Sequence, residues 1–580
     1  MNNGYGRRPH REMCGLSKGC LMVHSVTARR RWVAAIGFLS VSALALSGCA
    51  QSQRDSGGGG KQGGTLTFGA AGAPKLFDPF YATDGETFRV SRQMYEGLVG
   101  FKPGTAEVEP ALASKYEPSA DGKTWTFTLR EGVKFHDGTA FNAEAVCFNF
   151  ERWYNQKGAA QSDAVSQYWL DNFGGFKDTP DKPSLYKSCT AKDAKTAVIE
   201  LNEVTSQFPS VLGFTSFSIS SPEALKKYDA DNVVAAGDAF TYPAYANEHP
   251  TGTGPFKFGK YDKANNTVEL VRNEDYWGNK AKLDKIVFKI IPDETARKQA
   301  LKAGDIDGYD LPNAADWAGL KSDGFNVAIR PAFNVFYLGI NQKNNPKLAD
   351  LKVRQAIMYA INREQLVKSQ LPEGAKVATQ FMPDTVNGYN KDIKAVGYDL
   401  EKAKSLLKEA GAENLKLKFY WPSEVTRPYM PSPKDLFGAI SGDLEKAGIT
   451  FEVVTKPWNG GYLTDVDNSI PDLFLLGWTG DNGTAHNWVG TFFGRTDNRF
   501  NTGVSAWGNT LKTDLAKANS EPDEGKRTKL YEDINKRIME EYLPAIPISH
   551  SPPALVLKSD IKGVVPSPLT DEKFGPASKG

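Results

Sequence analysis

The 580-residue chain has little cysteine and little histidine, five and six residues respectively, and almost no excess of either charge, with a formal net charge of +2. So small a charge creates no field that would draw in nucleic acid, and no basic run interleaved with aromatics occurs past the N-terminus. The histidines are scattered, with His136 in a turn and His249, His486 and His550 far apart, and no Cys/His spacing matches a metal site. His-Glu-x-x-His is missing, and so is any Gly-x-x-x-x-Gly-Lys completed by Ser or Thr, which removes the zinc-protease helix and the nucleotide loop; Gly-x-Ser-x-Gly occurs only at Gly15-Leu16-Ser17-Lys18-Gly19, ahead of the apolar run at 32–46. Asp305 and Asp307 look like paired carboxylates but read better as the edge of a strand or turn. The expectation is a protein that is not an enzyme and holds no cofactor or metal. Apolar and charged fractions of 40% and 24% are ordinary for a water-soluble globular body. The length calls for two or three lobes rather than one core.

Export chemistry is written at the N-terminus. Arg29, Arg30 and Arg31 precede an apolar run over 32–46 that closes on Leu46-Ser47-Gly48-Cys49. The run is shorter than the ~20 residues a membrane-spanning helix needs, and its cationic flank and small-residue end match a signal peptide. Leu-Ser-Gly-Cys resembles the bacterial lipoprotein box, which implies that the Cys49 thiol is lipidated and becomes the mature N-terminus. Two or more acyl chains anchor a protein stably, so the expected location is the outer face of the bacterial cytoplasmic membrane. Residues 49–63 are rich in Ser and Gly and read as a flexible tether. The stretch before Arg29 has no role in this scheme, and Met22 is an alternative start. Export by the general or the twin-arginine route stays open, Arg30-Arg31-Trp32-Val33 being a poor version of the latter signal.

Only Cys147 and Cys189 remain in the body, and in an oxidising compartment two such thiols are expected to pair. From residue 64 the pattern alternates strands and helices without repeats. Thr124-Trp125-Thr126-Phe127-Thr128-Leu129 alternates as a half-exposed strand should. A helix is predicted from Asp293 to about Ala303, stopped by Gly304, and further helices open at Asp350 and Asp399. Val353, Ile357 and Ile361 share one face of the second, and Leu530, Ile534 and Ile538 mark a late helix that Pro544 stops. Leu473-Phe474-Leu475-Leu476 is continuously apolar, as a central strand covered on both faces would be. The chain is expected to cross between two α/β lobes near Pro331, which gives a hinge and a cleft.

Several segments together carry a family resemblance. Asp121-Gly122-Lys123-Thr124-Trp125-Thr126-Phe127-Thr128-Leu129-Arg130 with Gly132-Val133-Lys134-Phe135-His136-Asp137-Gly138 resembles the signature of solute-binding protein family 5, which serves peptide and nickel importers of the ATP-binding-cassette type. Thr251-Gly252-Thr253-Gly254-Pro255-Phe256, Asn273-Glu274-Asp275-Tyr276-Trp277-Gly278 and Leu301-Lys302-Ala303-Gly304-Asp305-Ile306-Asp307 look like more of the same pattern. The resemblance implies the large periplasmic-binding-protein-like α/β fold: two lobes, a hinge and an extra inserted domain. Expected boundaries are lobe I at 64–95, 246–330 and 546–580, the insert at 96–245 and lobe II at 331–545.

A short peptide is a zwitterion, so a selective cleft needs opposite charges at a matching separation; leaving either terminus desolvated and unpaired costs several kcal/mol. Asp481 follows the apolar strand in Gly477-Trp478-Thr479-Gly480-Asp481-Asn482-Gly483, at a carboxyl end where ligands of open α/β sheets lie. Arg427 lies in Thr426-Arg427-Pro428-Tyr429. Both segments resemble the dipeptide-binding lipoprotein branch, which implies Asp481 for the ligand's ammonium and Arg427 for its carboxylate, with Thr479 and Asn482 in the same segment and Trp478 and Tyr429 as aromatic walls. Arg suits its part because its planar fork pairs both carboxylate oxygens. Read alone, Asp481 between glycines also fits an Asx-turn. The chain departs from that branch at Thr484-Ala485-His486-Asn487-Trp488, where the pattern has Asp-Pro-Asp-Asn-Phe; two acids are lost. The expected partners are a short peptide, the permease of an importer, and the membrane through the lipid, for a monomer with no nucleic acid. A nickel or haem chelate, a saccharide, or peptide sensing without transport are the alternatives.

Overall fold

The computed structural model describes residues 63–580 apart from Asp238 and Glu424. The expected signal peptide, Cys49 and nearly all of the tether lie outside the described residues. No helix among the described residues is long and apolar enough to cross a membrane.

Local signals set the elements. Asp293 caps the helix Glu294–Ala303 by accepting from the Ala296 N–H, and Gly304 ends it at φ +86°, a left-handed conformation that glycine adopts at no steric cost. Asp350 and Asp399 cap Leu351–Ala360 and Leu400–Glu409 in the same way. The late helix is Glu524–Arg537, continued by one wide turn, Ile538–Tyr542, before Pro544.

Two sheets carry the lobes. A seven-stranded sheet runs in the order Phe256–Asp262, Thr267–Arg272, Lys285–Ile290, Thr65–Ala70, Gly308–Asp310, Ala554–Leu557 and Asn326–Ile329. A six-stranded sheet runs Lys376–Val377, Ala545–His550, Asn334–Ile340, Leu473–Thr479, Lys416–Pro422 and Thr450–Lys456. In its middle every residue of Asn334–Ile340 is buried, and Leu473 to Gly477 are buried too, as the unbroken apolar run requires. None of the strands between 96 and 245 pairs with either sheet. They form a four-stranded antiparallel sheet, in the order Ala113–Pro118, Thr124–Leu129, Thr196–Leu201, Tyr186–Asp193, and two short ribbons. Cys147, on the helix Ala143–Tyr154, is disulfide-bonded to Cys189 on Tyr186–Asp193.

The chain passes between the sheets twice, from Asn326–Ile329 to Asn334–Ile340 and from Ala545–His550 to Ala554–Leu557. The return was expected at 546; it falls at 551–553, because Ala545–His550 still pairs antiparallel with Asn334–Ile340. The two passages are tied to each other. Asn334 Nδ2 donates to the Ser551 carbonyl at 2.7 Å, the Ser551 N–H donates to Asn334 Oδ1 at 3.1 Å, and the Arg330 N–H donates to the Pro553 carbonyl at 2.8 Å. Beside them the buried Arg330 guanidinium donates to Asp310 Oδ1 at 2.6 Å and, bidentately, to Glu572 at 2.7 and 2.9 Å, while Arg89 pairs with the other oxygen of Asp310. Burial alone would push the Asp310 carboxyl up, but the two guanidiniums hold it far below the usual range. Asp307 is buried as well and pairs with Lys558 and Lys579, at 3.0 and 2.8 Å. It is a structural ion pair, not half of a catalytic carboxylate pair.

Candidate functional site

Lys416–Pro422 and Leu473–Thr479 are adjacent parallel strands, so both end on one edge of the lobe II sheet. Asp481 lies two residues beyond the second strand and Arg427 five beyond the first. The sheet topology therefore brings the two sequence-predicted charges to one edge. They occupy different hollows there: Asp481 lines a cavity of about 200 Å³ with Thr479, and Arg427 lines one of about 100 Å³ with Leu311, Pro312 and Trp317 of lobe I.

Asp481 is half-buried, and its carboxylate receives one hydrogen bond among the described residues, a 3.3 Å contact from Asn487 Nδ2. No Lys or Arg pairs with it among the described residues. Desolvation pushes its pKa up to about 6, Asn487 opposes the shift, and the nearby Asp171 carboxylate adds to it. Asp171 itself is pushed up to about 6, first by desolvation and then by Asp163. Arg427 is half-buried. Its main chain closes a tight turn with Met430, and its guanidinium lies 4.4 Å from the Trp458 ring centroid, a cation–π contact. No carboxylate pairs with it among the described residues.

The other predicted residues divide. Trp478 is half-buried, packs edge-on against Phe492 at 6.2 Å, and has a buried indole N–H without a partner among the described residues. Tyr429 is buried, and a side chain at Gly477 would run into its ring, so it lies flat on the strand leading to Trp478. Asn482 is fully buried; its Oδ1 accepts from the Thr484 N–H at 2.9 Å and hydroxyl at 2.6 Å, which shapes the loop, while its Nδ2 has no partner among the described residues. His486, in the segment that departs from the dipeptide branch, is half-buried with Nδ1 3.0 Å from the Tyr531 hydroxyl, and desolvation lowers it to about 4. It is neutral at ordinary pH. No group of three or more potential metal ligands occurs among the described residues.

The opposite wall of the Asp481 cavity comes from residues that sequence reasoning did not single out: Phe88, Arg92, Phe101, Tyr168, Phe214 and the loop Leu569, Thr570, Asp571. A larger hollow of about 720 Å³ lies past Gly483, Thr484 and Ala485, against Thr105, Glu107, Tyr116, Arg527 and Tyr531. Direct contacts bridge the lobes near this loop. The Ser206 N–H donates to the Asn519 carbonyl at 2.8 Å, Ser206 Oγ and Thr205 Oγ1 donate to Asn519 Oδ1 at 2.8 and 3.3 Å, and Thr484 Oγ1 lies 3.3 Å from Gln207 Oε1.

Two α/β lobes tied at a two-passage hinge, with uncompensated charges facing the space between them, define a protein built to enclose a small polar ligand. Comparison with known proteins agrees. The model of bacterial extracellular solute-binding proteins, family 5, matches residues 107–500, and the chain belongs to that family. A dipeptide-binding protein of Escherichia coli (strain K12) is 35% identical over 524 residues, 88% of this chain and 94% of the relative. Heme-binding protein A of Haemophilus influenzae is 33% identical over 519 residues, 88% and 91% of the two chains. Among solved structures, a periplasmic binding protein of Helicobacter pylori associated with an ABC transporter, in complex with the peptide STSA, superposes with a TM-score of 0.72 at 29% identity, covering 90% of this chain and 98% of that one.

Proposed function

We propose that this protein is the substrate-capturing lipoprotein of an ATP-binding-cassette importer for di- and oligopeptides, with no catalytic step of its own. One observation carries the reading. Arg330 pairs with Asp310 and Glu572, and Arg152 with Asp78 at 2.7 Å, whereas Asp481 and Arg427 stand at one sheet edge without an ionic partner among the described residues. An uncompensated buried charge is expensive, and a zwitterion of the right length relieves both at once. The ligand's ammonium pairs with Asp481, its carboxylate with Arg427, and its extended backbone lies against cleft main chain, with Trp478, Thr479 and Tyr429 setting the floor. The names of the relatives support peptides as the class.

Capture then works by differential binding: ligand contacts on both lobes favour the closed arrangement in which the insert meets Asn519 and Thr484, and the closed form is what the permease recognises. Energy for uptake comes from nucleotide hydrolysis on partner subunits. Cys49 carries the lipid anchor at the outer face of the cytoplasmic membrane and 49–63 is the tether, with the insert at 96–245. Calorimetric titration of the mature protein with di-, tri- and tetrapeptides tests the reading: binding that Asp481→Ala and Arg427→Ala both abolish supports it. Tight binding of a neutral sugar or a metal chelate, with no peptide bound, would refute it. The haem-binding relative motivates the second reading, checked by titrating haem and following its Soret band. Globomycin-sensitive retention of wild-type protein in membranes, lost in Cys49→Ala, checks the anchor.

A further inference from the structure

Asp481 and Arg427 have no ionic partner among the described residues, yet each is held by one neutral group. A main-chain N–H can only donate, so the Asn487 atom 2.8 Å from the Asp481 N–H is the carbonyl Oδ1, and Asn487 Nδ2 faces the Asp481 carboxylate, meeting its Oδ2 at 3.3 Å. One amide thus grips both the backbone and the side chain of Asp481. Carboxylate Oδ1 is left without a donor among the described residues. Asn487 is fixed independently of this contact: the Thr491 hydroxyl donates to its carbonyl at 2.8 Å, and its neighbour Trp488 is fully buried, edge-on to Phe333 at 5.1 Å.

Arg427 is held from the neighbouring loop. It follows Lys416–Pro422, and Trp458 follows Thr450–Lys456, the parallel strand alongside, so both loops leave the sheet at one edge. The Arg427 guanidinium lies 4.4 Å from the Trp458 ring centroid. That ring is buried and stacks on Tyr462 at 5.8 Å, and the Tyr462 hydroxyl donates to the Leu475 carbonyl at 2.6 Å, in the middle of the central strand. The lobe II core therefore fixes the platform on which the guanidinium rests.

An ionic partner would orient each group but would also cancel the charge that a ligand needs. An amide dipole and an aromatic quadrupole orient a charge and leave it uncancelled. We infer that Asn487 and Trp458 are positioning residues: Asn487 aims the Asp481 carboxylate at the ligand's ammonium, and Trp458 aims the Arg427 guanidinium at its carboxylate. The inference rests on the peptide reading above. Each residue acts through one anchor, so its loss is felt at one end of the ligand.

The experiment is calorimetric titration of the mature full-length protein with Ala-Phe and with Ala-Phe amide, which lacks the carboxylate, at pH 6 and pH 7.5. Wild type is expected to bind Ala-Phe about 10- to 100-fold more tightly than the amide, the range for a hydrogen-bonded charge. Trp458→Leu should cut that ratio about fivefold at both pH values, and Trp458→Phe, which keeps an aromatic face, should restore most of it. Asn487→Leu should keep the ratio but weaken both ligands, about 10-fold at pH 7.5 and more at pH 6, because the amide opposes the desolvation that raises the Asp481 carboxyl. Asn487→Ser, too short to reach the carboxylate, should repeat that pattern. The other groups near this carboxyl, Asp171 and Tyr168 on the insert helix and Arg92 and Asp571 across the cavity, are the same in every variant. Thr491→Val, which loosens the turn and spares the amide, is the control and should bind as wild type does. Losses equal for both ligands and at both pH values mark a merely structural role; these, or unchanged affinities, in variants whose folding is verified by circular dichroism, overturn the inference and leave peptide capture standing. Binding of neither ligand by wild type removes peptide capture and the inference with it.

Discussion

Asp481 should be costly to the empty protein and indispensable to the filled one. Its carboxyl is held at about 6, roughly two units above an ordinary aspartate, chiefly by desolvation. The sign follows from proton binding: the folded protein binds this proton more tightly than the unfolded chain, so the charged group lowers stability fully above pH 6. The penalty shrinks as pH falls through 6 and is gone below about 4. Two units at ~1.36 kcal/mol each set a ceiling of ~3 kcal/mol, and the residue's partial exposure reduces the expected value to about 1–2 kcal/mol. Asp481→Asn should therefore be more resistant to urea than wild type at pH 7.5 by about that amount, and no more resistant at pH 4. Binding should show the other half of the linkage. A ligand ammonium returns the carboxyl toward its ordinary range, so dipeptide affinity should fall ~10-fold between pH 7 and pH 5, and fall again above ~8 as the peptide's own amine loses its proton. The groups near Asp481 are Asp171 and Tyr168 on the insert helix, Arg92 and Asp571 across the cavity, and the uncharged Asn487; Asp171 is held near 6 as well. The assay is calorimetry over pH 4.5–9 on wild type, Asp481→Asn and Asp171→Asn. A flat acid limb in wild type, or an unchanged one in Asp481→Asn, refutes the reasoning.

Other consequences are equally measurable. Asn519→Ala removes two side-chain contacts between the lobes without touching the cleft, and dipeptide dissociation in stopped-flow should become about 5- to 10-fold faster with little change in association. Arg330→Leu leaves Asp310 and Glu572 buried with one guanidinium fewer and should cost ~3–5 kcal/mol in denaturant titration. Cys147 and Cys189 close a loop of 42 residues, so the Cys147→Ser, Cys189→Ser double variant should lose up to ~4 kcal/mol, read as a lower midpoint for the insert.

The elements that the sequence specified are those whose signals lie within a few residues of one another. Asp293 and Gly304 bracket a helix because a cap and a left-handed stop are local chemistry. The run at 473–476 declared a central strand because only a doubly covered strand has no polar face. The same strand end carried Asp481, and the Thr-Arg-Pro-Tyr segment carried Arg427, so both candidate anchors were legible as motifs. The return crossing was misplaced by about five residues, since nothing local distinguishes a strand that pairs in one lobe from the chain that leaves it.

What only the tertiary structure decided is the surroundings of those anchors. That Asp481 pairs with no cation among the described residues and is pushed up to about 6 depends on walls contributed by several separate stretches of chain. Tyr429, expected as a wall, is packed down on Gly477, because the absence of a side chain there lets the ring lie against the strand. Phe88, Phe101, Tyr168, Phe214 and Leu569 share no periodicity or motif and meet only when separate stretches of lobe I, the insert and the C-terminal loop pack beside the Asp481 segment. A recognition group can be read from its immediate neighbours in sequence. A cavity is the space left between distant segments, and its size, polarity and selectivity exist only once those segments have packed.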